Sequence, residues 1–150
     1  MVTTRGEAAA TSDEIAIEAL VDAFFSAFTS GPDTAARLDD LRRIMLPGAT
    51  VVRTCGLPAE VYGVESFIAP RLALLTSGEI ADFEEWPEPG RIDVFGDIAH
   101  WWGAYGKRWR AGGELHTGRG MKTMSFVRTG DGWRISSAAW DDERDGVRLG

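Results

Sequence analysis

Asparagine and glutamine are absent from the 150 residues, which excludes N-linked glycosylation at an Asn-x-Ser/Thr site. Cysteine occurs once, as Cys55, so no disulfide forms within the chain and no thiolate metal cluster is possible. Histidine occurs twice, as His100 and His116, too few beside one cysteine for a zinc site to be expected. Lysine is equally scarce: Lys107 and Lys122 stand against 14 arginines. No apolar run approaches the roughly 18 residues of a membrane span. The opening MVTTRGEAAA lacks the apolar stretch of a signal peptide, so a cytoplasmic protein is expected. No G-x-G-x-x-G, Walker or G-x-S-x-G run occurs; dinucleotide, ATP and esterase readings lose their main support, and no cofactor or metal is expected. Positive charge is short overall. A net charge of −7 and a pI near 4.8 argue against nucleic acid or an anionic membrane as the main partner.

What is present suits one soluble domain. Hydrophobic residues make up 44% and charged residues 26%, and a chain of this length buries enough surface to fold without staples. The domain spans 1–150, with a core over about 12–145 and flexible ends expected at 1–10 and 143–150. Thr11 and Glu14 have capping-box spacing and open a helix running to about Ser30, whose apolar face holds Ile17, Leu20, Val21, Phe24, Phe25 and Phe28. A second helix is expected from about Asp33 to Leu46, ended by Pro47-Gly48. Strands follow at 49–54 and 59–62, then a third helix over 64–77, kinked or restarted at Pro70. From Glu79 onward the pattern is a β meander. Gly96-Asp97 marks one hairpin tip and Thr129-Gly130-Asp131-Gly132 another. Residues 106–118, with Gly112-Gly113, read as a long mobile connection. Helices first and an antiparallel meander last make an α+β protein.

The order of several short runs adds to this. Tyr62-Gly63-Val64-Glu65-Ser66-Phe67-Ile68 is followed by Val94-Phe95-Gly96-Asp97-Ile98-Ala99-His100. Gly118-Arg119-Gly120 comes next, and then Asp131-Gly132-Trp133-Arg134-Ile135, ending at Trp140-Asp141. In order and spacing this resembles the nuclear transport factor 2-like superfamily, and within it the SnoaL-like and ketosteroid-isomerase-like bacterial members, over about residues 12–145. The resemblance implies a cone: a curved antiparallel sheet wrapped around two or three helices, open at one end. It implies a small-molecule pocket between the concave sheet face and the helices, and homodimers formed through the sheet. Members include isomerases, dehydratases, epoxide hydrolases and polyketide cyclases, and many have no known activity, so fold alone does not assign a reaction.

Candidate site residues follow from the strand register. A two-residue turn at Gly96-Asp97 sets Asp93 directly opposite His100 on one sheet face. A carboxylate bonded to an imidazole fixes its tautomer and raises its basicity, as a general base requires. The other face, with Ile92, Val94, Ala99, Trp101 and Tyr105, is more apolar and reads as the core side. His100 and Asp93 would then lie on the convex face in a structural or interfacial role, unless a bulge reverses the parity. Arg53 and Tyr62, near the expected mouth, are candidates to bind a carboxylate or developing oxyanion; an outward Arg and a strand-end Tyr are the plain alternative. Of the six tryptophans, Trp101 and Trp102 are adjacent and point to opposite faces, so one of them at most lines a cavity. The acidic run Glu79, Asp82, Glu84, Glu85 and Glu88 is expected to pair across strands with Lys107, Arg108 and Arg110. Asp141-Asp142-Glu143-Arg144-Asp145 reads as a solvated, fraying tail, and Cys55 as an inert thiol. The reading is a protein that holds a small apolar molecule, with cofactor-free isomerisation, dehydration or cyclisation of a carbonyl compound as its chemistry. The alternative is a dimeric module that binds or assembles without reacting.

Overall fold

The computed structural model describes residues 2–4, as backbone, and residues 10–150. Of the N-terminal ten, 2–4 form strand β1 (Val2–Thr4), and the expected flexibility of 1 and 5–9 falls outside the described residues. Three helices follow or interrupt the strands: α1 (Ser12–Ser26), α2 (Thr34–Ile44) and α3 (Val64–Thr76). The remaining strands are β2 (Met45–Arg53), β3 (Glu60–Tyr62), β4 (Ala81–Pro87), β5 (Arg91–Phe95), β6 (Ile98–Ala111), β7 (Glu114–Thr129) and β8 (Gly132–Asp142). They form one sheet in the order β1-β5-β6-β7-β8-β2-β3, with β4 on the second half of β6. Only the β2–β8 pairing is parallel among the described strands. The sheet curves around the helices without closing, which is the α+β cone. Among the described residues no helix is long and apolar enough to cross a membrane.

Thr11 caps α1 through the expected box: its hydroxyl accepts the Glu14 N–H at 3.1 Å, and Glu14 accepts the Thr11 N–H at 3.2 Å. Ile17, Val21, Phe24 and Phe25 bury one face of α1 against the concave sheet, the spacing of a helical stripe. The helix stops at Ser26 rather than Ser30 because Ser30 is drawn to β4: its N–H donates to the Phe83 carbonyl at 3.0 Å, and its hydroxyl accepts the Phe83 N–H at 2.7 Å. The α2 helix ends before Pro47-Gly48, which instead lies within β2 at a shift of register against β8, where a missing N–H is tolerated. Helix α3 runs unbroken through Pro70. Pro70 and Ser66 are exposed, so the carbonyl that proline leaves unbonded is open to water.

The largest departure from expectation is residues 106–118. They are no mobile connection; β6 and β7 pair continuously from Ile98↔Val127 to Ala111↔Glu114. The two-residue turn is Gly112-Gly113, with φ of 57° and 80°, the left-handed pair that a tight hairpin needs. The C-terminal acidic stretch differs as well. Asp141 and Asp142 belong to β8, paired with Met121 and Gly120, and Arg144 bridges Val147 beyond them. The acidic run pairs across strands as its charges suggest, with Glu84 opposite Arg108 and Glu85 opposite Lys107.

Candidate functional site

The inner sheet face and α3 enclose a cavity of about 260 Å³ near the open end of the cone. Its apolar walls include Phe28, Phe67, Phe83 and Trp140. Four cations also line it, Arg53, Arg71, Lys107 and Lys122, against one carboxylate, Glu85. A protein of net charge −7 thus gathers positive charge inside. Both lysines of the chain are there.

Strand parity explains how these charges come inward. On β7, Gly120, Lys122, Met124 and Phe126 are all buried, so Lys122 occupies a core-facing position. Its ammonium lies 3.2 Å from Glu85 Oε1. The rings of Phe25, Phe24, Tyr105 and Trp140 surround it, with centroids 4.2, 4.7, 5.1 and 5.2 Å from Nζ. Burial holds Lys122 below the ordinary lysine pKa, opposed by the Glu85 carboxylate, as desolvation of an ammonium requires. On α3, Phe67, Arg71 and Leu75 are spaced by four and share a face. The Arg71 guanidinium stacks 3.9 Å from the Phe67 ring centroid and donates to the Phe67 carbonyl at 3.1 Å. No carboxylate lies within ion-pair distance of it among the described residues. Burial lowers its pKa, yet a guanidinium remains charged.

At the cavity edge, Lys107 donates to Asp142 Oδ2 at 3.0 Å, and the Tyr105 hydroxyl donates to Oδ1. Burial would raise the Asp142 pKa, but the bonds from Tyr105 and Lys107 outweigh it and hold the group below the ordinary range. Burial pushes the Tyr105 phenol well upward. It also raises the Cys55 thiol, helped by nearby Asp142, and a protonated thiol is a poor nucleophile. Among the described residues no three of His, Cys, Asp and Glu are grouped to hold a metal ion.

The residues singled out from the sequence divide between two faces. Asp93 and His100 are direct partners on β5 and β6, with His100 Nε2 2.7 Å from Asp93 Oδ2. Arg91 Nε is 2.9 Å from the same oxygen. They lie on the outer sheet face beside an open groove of about 430 Å³, and neither lines the inner cavity. The buried partners Ile92, Val94, Ala99, Trp101 and Tyr105 make the opposite face the core side. Arg53 lines the cavity, 3.9 Å from Glu60. Tyr62 gives its hydroxyl to Glu60 at 2.6 Å, a bond that raises its pKa and occupies its proton. Trp101 is buried edge-on to Phe25, while Trp102 is half exposed on the outer face. The cavity's tryptophan is Trp140. Lys122, Arg71 and Glu85 escape a motif search because they belong to no motif. The signal available was parity: a lysine in register with Met124 and Phe126, and an arginine four residues after Phe67.

A curved sheet wrapped on three helices with a cavity at its open end defines a cystatin-like cone. An NTF2-like protein of cystatin-like fold from Novosphingobium aromaticivorans matches 89% of this chain and 83% of its own, at 18% identity and a TM-score of 0.68. A protein from Kribbella flavida matches at 17% identity and a TM-score of 0.74, over 89% of this chain and 92% of that one. A ketosteroid isomerase-like protein from Erwinia carotovora matches at 16% identity and a TM-score of 0.64, over 89% and 99%. At these identities the likeness is one of fold. The chain has the nuclear transport factor 2-like fold, as its run order suggests. No protein-family model matches the sequence, and no curated protein matches it significantly.

Proposed function

We propose that the cone cavity binds a small ligand with a flat apolar body and an anionic or enolisable oxygen, and supports cofactor-free proton transfer beside its carbonyl group. The observation that carries this reading is Arg71: a permanent charge with no carboxylate partner, held against a ring at the cavity wall. A guanidinium so placed favours a planar oxyanion, such as a carboxylate or enolate. The rings of Phe67, Phe83 and Trp140 supply apolar contact for the rest of the ligand. Glu85, beside Lys122, is the cavity's carboxylate and the group suited to take a proton from carbon. Isomerisation, dehydration and aldol-type cyclisation all fall within this chemistry. A volume of about 260 Å³ lies just under the roughly 300–1,000 Å³ of pockets for drug-sized ligands, which favours a compact substrate. The outer pair Asp93–His100 has no part in this reading.

The test is a titration with benzoate, and with benzyl alcohol as the uncharged analogue of similar shape. Benzoate is expected to bind more tightly and to perturb Trp140 fluorescence. Arg71→Met is expected to weaken benzoate about tenfold or more, the value of a hydrogen bond to a charged group. His100→Ala is expected to leave the affinity unchanged. Equal binding of the two probes, or an Arg71→Met variant with unaltered benzoate affinity, would refute the proposal.

We also propose that the outer sheet face joins two copies of the chain as a homodimer. Phe95, Ile98 and Trp102 are each more than half exposed on that face, a density of large apolar side chains suited to an interface.

A further inference from the structure

We infer that Lys122 is a nucleophilic amine that captures the carbonyl carbon of the ligand as a Schiff base, with Glu85 moving the protons. The inference rests on the ligand-binding reading of the cone and extends it to covalent chemistry. Three observations meet at this residue. Lys122 lines the cavity although its side chain is almost fully buried. It has one carboxylate partner, Glu85, at 3.2 Å, itself part of the cavity wall. Its ammonium and the Arg71 guanidinium lie 5.2 and 5.6 Å from the same Trp140 ring centroid, so the two cations flank one ring. A small aromatic ligand can therefore meet Arg71 with an anionic end and Lys122 with a carbonyl end.

The two lysines are not equivalent. Lys107 is held by Asp142 at 3.0 Å on the cavity edge and is more exposed. Lys122 sits among four rings, with Glu85 opposing its desolvation and Lys107 and Arg71 adding to it. A desolvated amine beside other cations is activated as a nucleophile. An arginine could pair with Glu85 there as well, and the chain uses arginine at 14 of its 16 basic positions. A guanidinium cannot form an imine; lysine can.

The step balances without a further reagent. The Lys122 ammonium passes one proton to Glu85, and the freed lone pair adds to the carbonyl carbon while the carbonyl π pair moves to oxygen. That oxygen takes the proton back from Glu85, giving a carbinolamine whose nitrogen still carries two protons and the positive charge. The nitrogen then gives one of these two protons through Glu85 to the hydroxyl, which leaves as water when the carbon–nitrogen double bond forms. One of the original ammonium protons stays on nitrogen, so an ammonium and a carbonyl compound become an iminium and water. The iminium withdraws electrons from the neighbouring carbon, whose proton Glu85 is placed to accept.

The experiment uses 4-carboxybenzaldehyde with sodium cyanoborohydride, which delivers hydride to the iminium carbon and makes the bond permanent. The chain offers two lysine amines and its α-amino group, so intact and peptide mass spectrometry assign the site directly. The expected result is a single adduct on Lys122, with the mass of the aldehyde less one oxygen, formed about tenfold or more faster than at Lys107 or the α-amino group. Lys122→Met is expected to lose that adduct. Lys122→Arg keeps the positive charge beside Glu85 and is expected to fold and lose it too. Glu85→Gln is expected to slow its formation about tenfold or more, as loss of a proton shuttle does. The non-electrophilic analogue 4-carboxybenzyl alcohol separates the two levels of the argument. If the alcohol binds and the aldehyde forms no adduct, or reacts preferentially at Lys107 or the α-amino group, the Schiff-base inference is overturned and the cavity reading stands. If the alcohol does not bind, the cavity reading itself fails.

Discussion

Gly103 lies on β6 beneath the Trp101 indole, and a Cβ built there would overlap the ring carbons. Gly90 faces the same indole from the bend before β5, and its Cβ would overlap the ring as well. Trp101 is thus clamped between two bare backbones and packs edge-on to Phe25 at 5.8 Å. The ring is rigid and buried, so an added methyl has no flexible neighbour to displace. Gly103→Ala is expected to cost about 1–3 kcal/mol, the range for overpacking a filled core, seen as a lower urea midpoint with the slope unchanged. A smaller effect is expected at Thr11, whose hydroxyl bonds to the first turn of α1. Thr11→Ala removes one cap bond and is expected to cost about 1 kcal/mol by the same measurement.

Strands β4 and β7 are not neighbours in the sheet, yet Glu85 and Lys122 join them across the inner face of β6. A buried ion pair is a poor device for stability, because desolvation offsets the attraction between the charges. Lys122→Met/Glu85→Gln is therefore expected to be as stable as the parent or more so, by up to about 4 kcal/mol, and to form no adduct with the aldehyde. Each single variant is expected to be less stable than the double, since one charge is left buried alone. The pH dependence follows from the direction of the Lys122 shift. Its folded pKa is lowered, so between that value and the ordinary 10.5 the unfolded chain binds more protons, and stability contributed by this site rises with pH. Urea curves of the two proteins across that window are expected to show a rise in the parent that the double variant lacks. The same elements show how far local pattern reaches. The Gly96-Asp97 tip sets the Asp93↔His100 register because two residues decide a tight hairpin. The pairing of Glu84 with Arg108 is likewise carried by charge, whereas Glu85, opposite Lys107 in register, turns to Lys122 instead. The long β6–β7 hairpin reads as a loop because Gly106, Gly118 and Gly120 dilute its strand signal. Those glycines are set by tertiary contacts: Trp86 lies over Gly106, the Lys107 side chain against Gly118, and Tyr105 against Gly120. The end of α1 also depends on a partner distant in sequence, the Phe83 backbone, which no local window contains.

At the scale of the molecule, α1 is tied to the tips of two hairpins by one arginine. Arg128 bonds Asp13 at 2.9 and 3.0 Å and Asp97 at 3.0 Å, and Trp133 Nε1 donates to Asp13 at 3.2 Å. The bond from Arg128, then that from Trp133, holds the Asp13 carboxyl below the ordinary range. A lowered carboxylate pKa adds stability that is present above the unfolded value and lost as pH falls through the folded one. Asp13→Asn is expected to be less stable at neutral pH and to show a shallower loss in acid, measured by thermal unfolding over the acid range. The opposite side of the sheet bears on assembly. Phe95, Ile98 and Trp102 are exposed by 56, 59 and 51%, and they alternate along paired strands with Asp93 and His100. A sheet face with apolar side chains at this density is costly to leave in water, and two identical faces can meet about a twofold axis. The Arg91–Asp93–His100 cluster would then lie beside the apolar contact and fix its orientation by charge. The protein is expected to sediment as a dimer. Ile98→Asp is expected to give monomers with an unchanged far-ultraviolet spectrum, because Ile98 is more than half exposed and outside the buried core. If both the parent and Ile98→Asp sediment as monomers, the outer face is no interface and its groove beside His100 faces solvent. If both remain dimers, the contact lies elsewhere on the cone.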